Sequence, residues 1–235
     1  MDVLHPKIMR IENVTYHKQK DFNFCGPALA SMVLSKFGSD VDQEDIGNAI
    51  MKRDNMGQEN SFTHDVCGFI TKYGIFSKYY NNLPKEKAFK ILIDNVEKGN
   101  PVFVSQRYSK RKDVPHARLV IGLQPNKENL KFLEYHDPLD GPNGRISKED
   151  FLELWDGEKS MLMVSSNEFA IFSDKVSIID EKCINCGKDM LETNVDFEKN
   201  PSGFQYINSN TEITWDGLQR VCENCHVTTA VFRKV

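Results

Sequence analysis

No stretch of the chain approaches the roughly 18 consecutive apolar residues that a helix needs to cross a bilayer, so no membrane-spanning segment is expected. The N-terminal segment MDVLHPKIMRIENV has no apolar core, and a secretory signal peptide is not expected. Positive charge is not in excess. Thirty Lys+Arg stand against 34 Asp+Glu for a formal net charge of -4, which removes the electrostatic basis for nucleic-acid binding. There is no internal repeat and no low-complexity tract. Without an export signal, the six cysteines are expected to serve metal binding or catalysis before disulfides. The expected location is cytoplasmic, with signal-free export the alternative.

What is present suffices for a core. The 235 residues, 15 of them Phe, suggest one large domain or one medium and one small. Residues 1–18 read as an extended lead-in. Helical spacing predicts helices over 26–37, 40–53, 63–73 and 85–98, with Gly38, Gly74 and Gly99 as C-terminal stops, and 54–62 reads as a polar loop. Past Gly99 the texture becomes β-rich. Strands are expected over 101–106, 116–123, 130–137, 161–164 and 168–172. Arg107, Lys110, Arg111 and Lys112 read as a basic, exposed loop, 124–129 as a turn, and 137–144 as a segment dense in turn formers. Ser147 and Asp150 open a short helix with a capping-box-like pattern. Helices first and strands second predict an α+β domain over residues 1–174.

Within it, Cys25 stands where a loop turns into a helix. Gly26 and Pro27 follow, and proline is tolerated in a first helical turn. Leu29, Met32, Val33 and Phe37 then make one apolar face. A cysteine at a helix N-terminus lies at the positive end of the macrodipole, which favours the nucleophilic thiolate. Loop and helix by themselves fit a small buried core cysteine equally well. Cys67, near Phe69 and Ile70, reads as such a core residue.

The strands 116–123 and 130–137 read as a hairpin. Pairing them about the centre of their turn sets Leu123 opposite Leu130, His116 opposite Asp137 and Glu134 opposite Leu119. Directly opposed residues share a face, with Cβ atoms about 4.5–5.5 Å apart. A carboxylate there can fix an imidazole tautomer and leave the other ring nitrogen for a thiol. Tyr135 and Arg118 fall on the same face and would line or support the site. Taken separately, His116 also fits a surface position before a strand, and Asp137 an ordinary Asp-Pro turn.

Taken together, QKDFNFCGPALASMVLSKFG, then HARLVIGL, then YHDPLDGPNGRISKEDFLELW resemble the C39 family of papain-like cysteine peptidases over about residues 8–172. That family has a Gln six residues before Cys-Gly, a His opening a strand and an Asp-Pro closing the next. The resemblance implies a papain-like fold with Cys25 as nucleophile, His116 as general base, Asp137 as orienter, and Gln19 with the Cys25 backbone N–H as oxyanion donors. Phe24 stands where the family often has Asp, and Ala117 where an aromatic or aliphatic residue often follows the His. The implied function is cleavage of a peptide or isopeptide bond in a peptide or protein substrate. Acyl transfer by the same thioester chemistry, and a non-catalytic peptide-binding module of the same fold, are the alternatives. The best-known members cut leaders after Gly-Gly beside a membrane transporter; no transporter segment is expected from these residues, so that substrate is not carried over.

The tail, 175–235, reads as a second unit. Cys183-Ile-Asn-Cys186 and Cys222-Glu-Asn-Cys225 are two CxxC pairs, each able to aim two thiolates at one metal, and together they predict a structural zinc in a zinc-ribbon-like β domain. The runs VSIID, SGFQYI and TTAVFRKV suggest its strands. A segment this short buries little core, so metal would supply much of its folding energy. Residues 176–235 carry six basic and nine acidic side chains. Zinc with four thiolates adds two further negative charges, for about -5, so a protein partner is expected there and not nucleic acid.

Overall fold

The computed structural model describes residues 9–53, 59–125, 130–156, 167–175, 180–193 and 216–233. The strand expected at 161–164 and the run SGFQYI lie outside these residues, as does most of VSIID. In chain order the elements are β1 (Met9–Arg10), α1 (Cys25–Lys36), α2 (Gln43–Ile50), β2 (Lys52–Arg53), β3 (Glu59–Asn60), α3 (Thr63–Thr71), β4 (Phe76–Asn81), α4 (Lys85–Glu97), β5 (Val102–Ser109), β6 (Lys112–Pro125), β7 (Leu130–Asp137), β8 (Gly141–Ser147), α5 (Lys148–Trp155), β9 (Phe169–Ser173), β10 (Leu191–Thr193), β11 (Asp216–Val221) and β12 (Thr228–Arg233).

Local chemistry sets several boundaries. Asp42 caps α2 by accepting from Glu44 N at 2.7 Å, so the helix starts at Gln43 and not at residue 40. Its C-cap, Met51, is already extended, and Lys52–Arg53 pairs as a short strand with Glu59–Asn60. Ser147 Oγ accepts from Asp150 N at 3.1 Å and opens α5 as the capping pattern predicted. In α1 the run from Gly26 to Leu34 is buried without a break. It is therefore a central helix packed on all sides, where apolar spacing alone suggested one buried face.

The fold is α+β, papain-like, with one large antiparallel sheet ordered β10-β11-β12-β4-β9-β5-β6-β7-β8, β1 paired to β6, and β2 and β3 in a separate two-stranded sheet. Four strands of the large sheet were not anticipated: β4, whose Phe76-Ser-Lys-Tyr-Tyr-Asn81 follows the Gly74 stop, β8, drawn from the turn-former segment, and β10 and β11 of the tail. Alternation gives this sheet two cores. Phe103, Leu119, Ala170 and Phe232 pack beneath α1, α2 and α3. Val102, Val120, Phe169 and Ile171 turn the other way, against Phe89 and Leu92 of α4 and Phe151 and Trp155 of α5. Cys67 lies in the first core, fully buried.

The tail continues this sheet. β12 hydrogen-bonds along β4, with Thr228 opposite Asn81 and Phe232 opposite Ser77. Cys183 and Cys222 join the second core beside Tyr80 and Leu83, and Lys87 Nζ donates to Asn185 O at 2.6 Å.

The basic segment is exposed at Lys110, Arg111 and Lys112, around the turn between β5 and β6, but not at Arg107. Arg107 belongs to β5 and is buried, its Nη2 donating to Glu153 O at 2.8 Å. Exposed Lys110 is paired with Asp150 at 2.6 Å and Glu153 at 2.9 Å of α5.

Candidate active site

Cys25 is the first residue of α1 and is half-buried. Phe24 precedes it as the N-cap without a side-chain cap, so no side chain of the cap competes for the N–H groups of the first turn, which have no acceptor inside the helix. The Phe24 ring lies against α2, within 3.0 Å of where a Cβ on Gly47 would stand. Gly26 is required by packing too: a Cβ there would come to 2.1 Å from Ser61 Oγ.

His116 and Asp137 meet, but not in the register predicted. The β6–β7 hairpin closes on Pro125 opposite Leu130, because Gln124 and Pro125 continue the strand and are not part of the turn. Leu119 then faces His136, Glu134 faces Gly122, and the same register carried on sets Asp137 opposite Arg118. Glu134, expected opposite Leu119, is buried and sits 3.5 Å from Arg10 Nη1. Next to the site the displacement from the expected pairing is two residues, and an even shift keeps His116 and Asp137 on one face; past the irregularity between Val120 and Gly122 it is three. His116 becomes the diagonal neighbour of Asp137, within reach of a ring. His116 Nε2 lies 2.8 Å from Asp137 Oδ1.

That bond leaves Nδ1 as the ring nitrogen not engaged by Asp137, and Cys25 is close enough to act on the His116 charge. Burial of His116 favours the neutral ring. The interactions with Asp137 and Cys25 outweigh it and carry the pKa up to about 9. Burial likewise opposes the Asp137 carboxylate, but the His116 hydrogen bond, the His116 charge and Arg118 hold its carboxyl well below the usual range. Asp137 Oδ1 also accepts from Leu139 N at 2.9 Å and Asp140 N at 3.1 Å. Cys67 stands apart, its thiol pushed well up by burial.

Gln19 is brought to the site's border and is already occupied. Its backbone N–H donates to Pro138 O at 2.9 Å, which fastens the Gln19 loop to the Asp-Pro turn. Its Nε2 donates to Asp21 O at 2.9 Å and Phe22 O at 2.8 Å, while Oε1 is buried with no partner among the described residues.

Two residues of this site escaped the sequence. Tyr108 meets the His116 ring edge-on at 5.2 Å, and its hydroxyl donates to Asp140 Oδ1 at 2.8 Å. Asp140 carries a signal in retrospect, since Asp137 and Asp140 bracket a turn that accepts its own N–H groups. Tyr108 has none: it sits in a strand where β-bulge geometry between Arg107 and Ser109 decides its direction. Arg118 was expected on this face, and it donates through Nε to Asp137 Oδ2 at 2.7 Å.

The four tail cysteines also converge. Their sulfurs lie within 4.8 Å of one another, with Cys183–Cys225 at 3.4 Å, Cys186–Cys222 at 3.5 Å and Cys186–Cys225 at 3.9 Å. Ligands about 2.3 Å from a tetrahedral metal stand about 3.8 Å apart, so the set fits a single ion. The two CxxC turns are built alike. Gly187 N donates to Cys183 O and His226 N to Cys222 O, both at 2.8 Å, with Gly187 at φ 73 and His226 at φ 56. Cys183 N to Lys188 O at 2.7 Å and Cys222 N to Val227 O at 2.9 Å complete the pair.

Among known proteins, a family model described as "Peptidase_C39 like family" matches residues 11–161. Two solved structures are similar to the chain. One is a double glycine motif protease from an AMS/PCAT transporter in complex with the leader peptide (20% identity, covering 69% of this chain and 92% of that one, TM-score 0.48). The other is the peptidase domain of Streptococcus ComA, a bi-functional ABC transporter involved in a quorum sensing pathway (19% identity, 68% and 98% coverage, TM-score 0.47). No curated protein sequence matches it. Among the described residues no helix is long and apolar enough to cross a membrane.

Proposed function

The chain belongs to the peptidase C39-like family and is a cysteine peptidase of that type, and we propose that it cleaves peptide or isopeptide bonds with Cys25 as nucleophile, His116 as general base and Asp137 as orienter. The observation that carries this is the 2.8 Å bond from His116 Nε2 to Asp137 Oδ1. His116 takes the Cys25 proton at Nδ1, the sulfur attacks the carbonyl carbon, and the negative charge collects on its oxygen. The Cys25 N–H, in the first turn of α1 where no acceptor lies inside the helix, donates to that oxygen. Gln19 supplies the second donor by exchanging one of its bonds to Asp21 O or Phe22 O for the oxyanion. His116 returns its proton to the leaving amine, and water releases the acyl group from sulfur. If an amine replaces that water the same steps give acyl transfer.

The substrate is a peptide or protein segment. The proposed division is a peptidase unit, residues 1–174, followed by a four-cysteine unit, residues 175–235. We assign zinc to Cys183, Cys186, Cys222 and Cys225. All-thiolate tetrahedral coordination leaves no open position for substrate or water, so the ion has a structural role. A protein contact at this unit remains the partner it would serve.

Exposure of the protein to a proteome-derived peptide library, with sequencing of new termini, tests the reading. Cleavage by the native chain should disappear in Cys25→Ala and His116→Ala. Brief iodoacetamide treatment should label Cys25 ahead of buried Cys67. Cleavage that persists in Cys25→Ala, or preferential labelling of Cys67, would overturn it.

A further inference from the structure

We propose that Arg118 is a positioning residue, which clamps one oxygen of the Asp137 carboxylate so that the other is kept for His116. The proposal rests on the triad reading above. An aspartate's terminal torsion is broad and two-fold, so the hydrogen bonds around the carboxylate decide its plane. Here the two oxygens are divided. Oδ1 takes His116 Nε2 and the N–H groups of Leu139 and Asp140. Oδ2 takes Arg118 Nε at 2.7 Å.

The guanidinium is itself held fast. Arg118 is only 4% exposed. Its Nη2 donates to Tyr108 O at 2.8 Å and its Nη1 to Arg107 O at 3.5 Å. The group lies 5.3 Å from the Tyr135 ring centre and 5.9 Å from that of Tyr108, in cation–π range of both. A planar fork bound at both ends transmits orientation, which a lysine's rotating point charge does not. Tyr108 adds a second tie, since the same residue that accepts from Arg118 through its carbonyl meets the His116 ring with its side chain.

The groups facing Asp137 are His116 and Arg118 from β6, Tyr16 from the lead-in, Tyr108 from β5, Tyr135 from its own strand, Asp140 from the turn, and Cys25 beyond the imidazole. This makes the sign of one measurement decisive. If Arg118 were only a nearby positive charge, its removal would make the His116 imidazolium easier to form, and the His116 titration midpoint would rise. If Arg118 positions Asp137, its removal lets the carboxylate turn, the His116–Asp137 bond weakens, and burial pulls the midpoint down.

The test is the NMR titration of the His116 Cε1–H resonance in the full chain for wild type, Arg118→Met, Arg118→Gln and Asp137→Asn. Arg118→Met should lower the midpoint by about one pH unit or more, in the same direction as Asp137→Asn. Arg118→Gln, which keeps an N–H donor, should fall between Arg118→Met and wild type. A midpoint unchanged or raised in Arg118→Met, while Asp137→Asn lowers it, overturns the proposal. If Arg118→Met does not fold, Arg118→Gln decides by the same criterion. If Asp137→Asn itself leaves the midpoint in place, the triad reading has failed, and the role assigned to Arg118 falls with it.

Discussion

Replacing Asp137 with Asn should remove a pH-dependent part of the chain's stability that lies between about pH 6.5 and 9. The His116 side chain is 7% exposed, and its pKa is carried from the ordinary 6.5 to about 9. At about 1.4 kcal/mol per unit, that rise corresponds to about 3 kcal/mol of preference for the protonated ring in the folded state. Burial pulls against it, so the Asp137 and Cys25 interactions together must exceed the net figure. A pKa higher in the folded than in the unfolded chain contributes stability that is complete below about pH 6.5. The contribution declines as pH rises through the interval and is gone above about pH 9. The depressed Asp137 carboxyl works in the opposite sense. Its contribution is present above the ordinary 3.8 and is lost only on acidification, well clear of the His116 window. Asparagine keeps the size but replaces one acceptor oxygen with an NH2 donor and removes the charge, so burial should draw His116 back to its ordinary value or below it. Arg118 then loses its counter-charge, a cost that does not vary across this range. Urea unfolding of both proteins at pH 6 and pH 9.5 reads the difference. The destabilisation by Asp137→Asn should be larger at pH 6 by about 3 kcal/mol. Equal destabilisation at the two pH values would refute the argument that Asp137 is what holds the proton on His116.

Gln19→Ala should lower kcat about 10²–10³-fold with little change in KM, as expected for loss of one oxyanion donor, on a peptide recovered from the library. An unchanged kcat would mean that the amide never leaves Asp21 O and Phe22 O. Elemental analysis should find one zinc per chain, and chelation should lower the melting temperature of the main unfolding transition, because β12 is hydrogen-bonded into the sheet at β4. A chain that holds no metal, or one whose main transition ignores its removal, would count against that assignment.

Much of this molecule can be read from short segments. The Cys25 helix start, the Ser147 cap and the two CxxC turns are set by residues within a few positions of one another, so local chemistry determines them. The paired CxxC spacing and the ordered Gln, Cys, His and Asp-Pro motifs likewise carried the family and the fold class. Tertiary structure alone decided what depends on contacts between distant segments. Hairpin arithmetic placed His116 and Asp137 on one face, but the true register depended on Gln124 and Pro125 staying in the strand. The prediction of the face survived only because a two-residue shift preserves alternation. Arg107 looked exposed by composition, yet its charge is covered by α5, some 46 residues away, through Glu153 O. The strand β4 showed no signal beyond aromatic content, and it forms a central strand because β9 and β12 reach it from the far end of the chain. The same pairing joins the four-cysteine tail to the sheet of the peptidase unit. Backbone N–H and C=O groups along an open strand edge must find partners, and which segment supplies them is a matter of assembled geometry that composition and spacing do not encode.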